Sequence, residues 1–434
     1  MRERRIIAVI LFAIASAISA APRSAGTEEE ARLWTTSSPD YRQKSGANMR
    51  DYWLNTPDST RHREYARAFE TGGSIGAGIA QDLYLGFFDI FKKGANVLID
   101  FNEVLNRPAL SSFKGLNINA EVNFTLLYFK MKHPLIGDFG FSFFNINSRI
   151  DINFDEDFIS FIAKGNLEKH NTAPEITISG ALFAEIFSTE FRRIIFKHFF
   201  VTLKPSWYIP VFYIPKSVQK LEVSAENGFK AELSGGAYVY TPINIKDWTL
   251  TSFGGLDADF IIERPIFNIL DIGLELLHLP LMPAVLSSVS VMGLEGVLLD
   301  IPDDYSFKMP EIDQFYDTKN IWALRPVTTG LYLLYRPFGT DRLILRPEFS
   351  LTFLNPSGQL YINAGLEAVF APSNIFGITL FTGLREGLAR HSVKLSFNWR
   401  RFGFYIKLDL RSQDYLRSWT LKGAGFSLGW SAGY

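Results

Sequence analysis

Few residues of this chain stand at a spacing that does chemistry. Gly425-Phe426-Ser427-Leu428-Gly429 matches the G-x-S-x-G pattern of a serine nucleophile. That pattern works on a sharp strand-to-helix turn, with an acid and a histidine following in the chain. Here no histidine lies beyond His391. A strand of alternating small and large residues explains the match better. The histidines are His62, His133, His170, His198, His278 and His391. They form no H-E-x-x-H and no pair at a metal-ligand spacing. Each reads as an isolated loop or interface residue. Gly72 to Gly78 is glycine-rich, but it lacks the lysine of a phosphate loop, and Gln81 stands where a dinucleotide loop wants glycine. Asp155-Glu156-Asp157 offers oxygen ligands to calcium, although such a run is usually a solvated loop. The chain has no cysteine, which rules out thiol catalysis, disulfides and Cys-ligated zinc. The expectation is a protein with no catalytic residue, no cofactor and no metal, and not an enzyme.

The polar residues take on meaning once the elements that hold them are read. In Leu116 to Leu126, apolar and polar residues alternate, so Asn117, Asn119, Glu121 and Asn123 fall on one face of a strand. The same period governs Arg149 to Asp155 and Leu345 to Phe353, where Arg346 and Glu348 share a side. It governs Ser392 to Arg400, with Lys394 and Arg400 on the polar face, and Phe402 to Arg411, with Lys407, Asp409 and Arg411. Soluble sheets alternate too. A β-sandwich, with its apolar face in a core and its charges outside, therefore stays open as an alternative. Several runs last about nine to eleven residues, which is the length that crosses a bilayer at a tilt, whereas soluble strands average about five or six. Full charges in mid-strand need water or a partner, and a barrel lumen offers both. These charged and amide residues are the candidate lumen lining. The strand from Gly425 to Tyr434 puts Phe426, Leu428, Trp430 and Tyr434 on one face. It resembles the terminal strand by which the barrel-assembly machinery recognises outer-membrane proteins, with Tyr in place of the commoner closing Phe.

Turn residues separate the strands at Asn145, Gly165-Asn166, Asn227-Gly228, Pro302-Asp303-Asp304, Asn355-Pro356-Ser357-Gly358 and Pro372-Ser373-Asn374. The count leads to an all-β, transmembrane antiparallel barrel of about 14 strands over residues 115–434. Trp207, Trp248, Trp322, Trp399, Trp419 and Trp430 are available for its interfacial girdles. Residues 21–114 read as a polar and amphipathic-helical segment, a plug or periplasmic cap, with Leu83, Phe87, Ile90 and Phe91, and then Val97, Phe101, Val104 and Leu105, at helical spacing within the apolar stretch Ile79 to Leu105. Residues 1–20 read as a cleaved signal peptide. Arg2, Arg4 and Arg5 precede the short apolar run Ile6 to Ile18, and small residues follow it. No later stretch is a helical span, since Leu274 to Leu299 is broken by His278, Pro280, Pro283 and Glu295. An exported chain that stays in a membrane without such helices closes its backbone hydrogen bonds in a barrel. The balance of 44 basic and 45 acidic residues excludes a broad nucleic-acid surface.

In layout the chain resembles the outer-membrane long-chain fatty-acid transporter (FadL-type) family, in particular its divergent spirochaetal members. Asn106-Arg107-Pro108-Ala109 is a poor echo of that family's Asn-Pro-Ala hatch signature, with Arg inserted. The resemblance implies a 14-stranded barrel closed by an N-terminal hatch, through which hydrophobic solutes such as long-chain fatty acids diffuse. A general diffusion porin and a non-transport surface barrel, adhesive or structural, are the competing expectations. The expected partners are outer-membrane lipids, the barrel-assembly machinery and hydrophobic small molecules.

Overall fold

A computed structural model describes residues 69–81 and, with breaks at several turns and at 158–174, 303–319 and 413–422, residues 115–433. The expected signal peptide, the plug or cap upstream of residue 69, and residues 82–114 lie outside the described residues, as do Arg400 and Tyr434.

Every long element among the described residues is a strand. In chain order they are β1 Phe69–Gln81, β2 Gly115–His133, β3 Gly137–Asp155, β4 Glu175–Ile195, β5 Phe199–Ser224, β6 Gly228–Thr241, β7 Ile243–Asn244 and β8 Thr249–Leu250. There follow β9 Gly255–Phe267, β10 Leu270–Met282, β11 Ala284–Leu286, β12 Ser288–Gly293, β13 Gly296–Pro302, β14 Ile321–Ala323 and β15 Val327–Tyr335. The last six are β16 Leu343–Leu354, β17 Gln359–Phe370, β18 Phe376–Arg385, β19 Leu388–Trp399, β20 Phe402–Ser412 and β21 Gly423–Gly433.

Antiparallel pairing runs from β1 through β2, β3, β4 and β5 to β9, β10 and β15, then through β16 to β21. It closes where β21 pairs with β1, with Gly425 opposite Gly78 and Trp430 opposite Gly73. The ring therefore has 14 strands and no free edge. Beyond Tyr208, β5 leaves β9 and pairs with β6, whose other neighbours are β12 and β13. Thus β6 and β9 are two parts of one wall strand, interrupted by the small β7–β8 hairpin. The ends differ. Tight turns join β2 to β3, β4 to β5, β9 to β10 and β19 to β20 at one end, which also holds the start of β1 and the end of β21. The long connections cluster at the other end. Short turns on one side and long loops on the opposite side are the asymmetry of transmembrane barrels.

The burial pattern is inside out relative to a soluble protein. Along β15 and β16, buried and exposed residues alternate. Leu331, Phe349, Phe397 and Leu408 are each about half exposed, while Arg346 is 0% and Glu275 and Glu367 are 1% exposed. An apolar outer surface around a charged interior is stable where the outside is hydrocarbon. This fold is a transmembrane β-barrel. Trp399, Phe402 and Trp430 are exposed near the short-turn end, and Trp207, Trp322 and Phe253 are exposed further along the wall. Trp207 stands eight residues along β5 from Phe199. At about 3.3 Å per residue and a tilt of ~40°, that is roughly 20 Å along the barrel axis, close to the height of the apolar band. Trp248 and Trp419 are outside the described residues.

Two sequence readings are corrected. The barrel begins at Phe69 rather than residue 115, and the glycine-rich Gly72 to Gly78 is part of its first strand. Small residues hid the period there: Ile75, Ala77 and Ile79 point outward, and Ser74, Gly76 and Ala80 inward. The apolar stretch that starts at Ile79 opens inside β1, while the residues at helical spacing, from Leu83 to Leu105, lie outside the described residues. Asn145 is no turn either. It lies inside β3, paired with Thr125 and Glu185, next to Phe144 at φ 53°, and the register is the same on both sides of Phe144.

Candidate functional site

The interior is built from the polar faces of the strands, so its contents follow from the register. Asn119, Glu121, Arg346, Glu348, Lys394, Asp409 and Arg411 are buried. Asn117, Asn123 and Lys407, on the same faces, are partly buried. The alternate residues, among them Val122, Leu126, Val393, Leu395 and Ile406, are exposed. Three groups of charges fill the space.

Towards the long-loop end, Glu121 on β2 accepts from Arg411 Nη1 at 2.8 Å and pairs with Arg390 on β19. Arg411 starts on β20, so it reaches Glu121 across the backbones of β21 and β1. Glycines make this reach possible, because a Cβ at Gly78 or Gly425 would run into the Arg411 guanidinium. Arg149 on β3 pairs with Asp151 at 2.8 Å and with Glu386, in the turn between β18 and β19. Its guanidinium also lies 5.6 Å from the ring centre of Tyr361 on β17.

At mid-height, Arg325 donates to Asp257 at 2.6 Å and to Glu185 at 2.5 Å, with the Tyr208 ring 5.3 Å away. Lys204 lies within 3.9 Å of both Glu185 and Asp259. His278, at φ 53°, donates its backbone N–H to Asp259 at 2.8 Å, and its Nδ1 meets the Pro326 carbonyl at 2.9 Å. The carbonyl can only accept, so Nδ1 bears the proton. Nearer the short turns, Glu263 accepts from Arg192 at 2.6 Å and from Tyr332 Oη at 2.8 Å. Arg346 lies 4.1 Å over the Tyr332 ring and 3.5 Å from Glu275, and further along β16 towards the long-loop end Glu348 binds Arg385. Buried charges persist only when paired and hydrogen-bonded. With the signs interleaved at every level, the described interior presents no broad field of one sign.

Between the charges lies an apolar region. Ala181, Phe183, Tyr208, Tyr213, Tyr240, Ala284, Leu286 and Ala323 pack together. Ala181 and Phe183 also line a narrow cleft with Pro326, Leu354 and Pro356. Asn147, Arg149, Asp151, Ser179 and Ser357 supply its polar side. The cleft is therefore amphipathic, with a guanidinium at one end of an apolar floor.

The sequence reading found one side of these networks and missed the other. Arg149 and Asp151 stood in an alternating run without being singled out. Arg325 lies between β14 and β15, where no period points to it. Glu386 sits in a two-residue turn, followed by Gly387, and only that Glu-Gly pair hinted at it. Among the expected terminal-strand residues, Phe426 and Trp430 are exposed on the outer face and Leu428 is partly so. Ser427 is buried in mid-strand, with β21 continuing to Gly433 and no turn to make a nucleophile elbow. Among the described residues no group of acidic and histidine side chains is arranged to hold a metal ion.

No protein-family model matches the chain, and no curated protein matches it in sequence. Solved structures of similar shape include the Pseudomonas putida toluene transporter TodX, 9% identical over 84% of this chain and 89% of that one, with a TM-score of 0.39. The Ralstonia pickettii toluene transporter TbuX is 7% identical over 92% and 98%, with a TM-score of 0.40. A Pseudomonas aeruginosa FadL homologue is 8% identical over 90% and 96%, with a TM-score of 0.38. The fold assignment rests on the closed register and the inverted burial of this chain.

Proposed function

We propose that this chain is a bacterial outer-membrane barrel for passive uptake of hydrophobic and amphipathic solutes, such as long-chain fatty acids. The observation that supports this best is the cleft that joins Ala181 and Phe183 to Arg149. An acyl chain loses water-exposed area on such a floor, at about 25 cal/mol per Å². Arg149 is held by Asp151 and Glu386, and a cargo carboxylate that takes the place of Glu386 is matched by the guanidinium. In this reading residues 1–20 are removed on export, and the segment ahead of β1 is a plug or cap. The outward Phe426, Leu428 and Trp430, with Tyr434, serve as the signal to the assembly machinery.

The test is equilibrium binding of a radiolabelled long-chain fatty acid to the purified full chain in detergent. Saturable binding is expected, and Arg149→Gln should lower the preference for the acid over the matching fatty alcohol about tenfold, roughly 1.4 kcal/mol. Absence of saturable binding to the parent protein would overturn the reading. A general porin is the second reading, favoured by the charged interior. A steady open conductance in planar bilayers would support it over the first.

A further inference from the structure

We propose that the two tight turns at Asn355–Gly358 and Arg385–Leu388 form a lid over the lumen, latched to the opposite wall, and that the cleft is reached only when the latch parts. The proposal concerns access to the interior and does not depend on which solute enters.

The wall is uneven at its long-loop end. The strands β2 to β5 have 19 to 26 residues, whereas β16 to β19 have 10 to 12 and are joined by these turns. Both turns touch the far side. In ring order β17 lies seven strands from β3 in either direction, so the contact of Arg149 with Tyr361 spans the barrel. The Arg149–Glu386 ion pair bridges the same gap from the second turn. The first turn makes its own bridge, because Lys216 on β5 donates its backbone N–H to the Pro356 carbonyl at 2.7 Å. That N–H points away from the β5 ladder where the β5–β6 register slips between Tyr213 and Gln219. The cleft lies between the two sides, with Leu354, Pro356 and Ser357 from the lid and Arg149, Ala181 and Phe183 from the wall.

Glu386 marks the lid as more than a connection. It adopts φ 51° and Gly387 φ 77°, the two left-handed positions of a tight hairpin turn. Asn, Asp or Gly is favoured there and Glu is not, so the position costs backbone energy that its side-chain contact offsets. Asn363 Oδ1 accepts the Glu386 N–H at 2.7 Å and steadies the turn. The surroundings also suit two states. Arg390 lies 3.8 Å from Glu386, and Arg149 holds Asp151 as well. When the latch parts, each charge keeps a partner, so opening avoids the large penalty of a bare buried charge.

The absence of cysteine allows a direct test. Ala181→Cys puts a single thiol on the cleft floor. The rate at which a water-soluble maleimide labels it is measured in folded protein in lipid vesicles, with the gel shift on boiling as the check of folding. The lid predicts slow labelling in the A181C parent and at least a tenfold faster rate in A181C with E386Q or with R149Q. The R149Q/E386Q pair should be no faster than either alone, since both break one contact. E386D, which keeps the charge, should label close to the parent rate. Fast labelling of the parent, unchanged rates in the single variants, or additive rates in the double variant would overturn the lid. The assay uses no cargo, so failure of fatty-acid binding and failure of the lid are separately visible.

Discussion

At the scale of single residues, the seam of the barrel is held by a side chain that belongs to neither seam strand. Arg411 and Glu121 flank the β21–β1 junction and meet over glycine backbone. Truncating one member of a buried ion pair leaves the other uncompensated and typically costs about 3–5 kcal/mol. Glu121→Gln should therefore lower stability by an amount in that range, read from urea unfolding of the folded barrel in lipid vesicles. Gly425→Val should be as damaging, because its side chain would collide with Arg411. A loss under about 0.5 kcal/mol for both would mean that the junction is held by its backbone ladder alone. Both residues of the pair were legible in the sequence as members of polar faces. Their partnership was not, since the period of a strand says which way a side chain points and nothing about a strand 290 residues away.

At the scale of elements, alternation was read in several strands whose two faces differ in polarity and failed where both are small. The strands β2, β16, β19 and β20 follow the first case. The strand β1 follows the second, its inner face reduced to Ser74, Gly76, Gly78 and Ala80 so that flanking side chains can lie over it. The break of one wall strand into β6 and β9 was equally illegible, because pairing with two partners is a property of the ring. Orientation of an element is testable by charge. Leu408, outward on β20 and half exposed, faces hydrocarbon, and Leu408→Arg should cost roughly 2–4 kcal/mol in vesicle unfolding, the cost of an arginine near the bilayer midplane. Lys394→Gln, facing inward with its ammonium 4.6 Å from the Tyr405 ring, should cost less. Equal effects would mean that the two faces see the same environment.

At the scale of the whole molecule, closure explains why the chain tolerates so much buried charge. The ring leaves no edge, the outer face is apolar, and every interior level interleaves acid with base. That arrangement has one stable setting, with hydrocarbon outside and protein or water within. It is most directly tested by detergent extraction followed by electrophoresis with and without boiling. The folded chain should need detergent or lipid to stay dispersed, give a sheet-rich circular dichroism spectrum, and run faster unboiled than boiled. A chain that stays in solution without detergent and runs at a single position in both lanes would contradict the barrel.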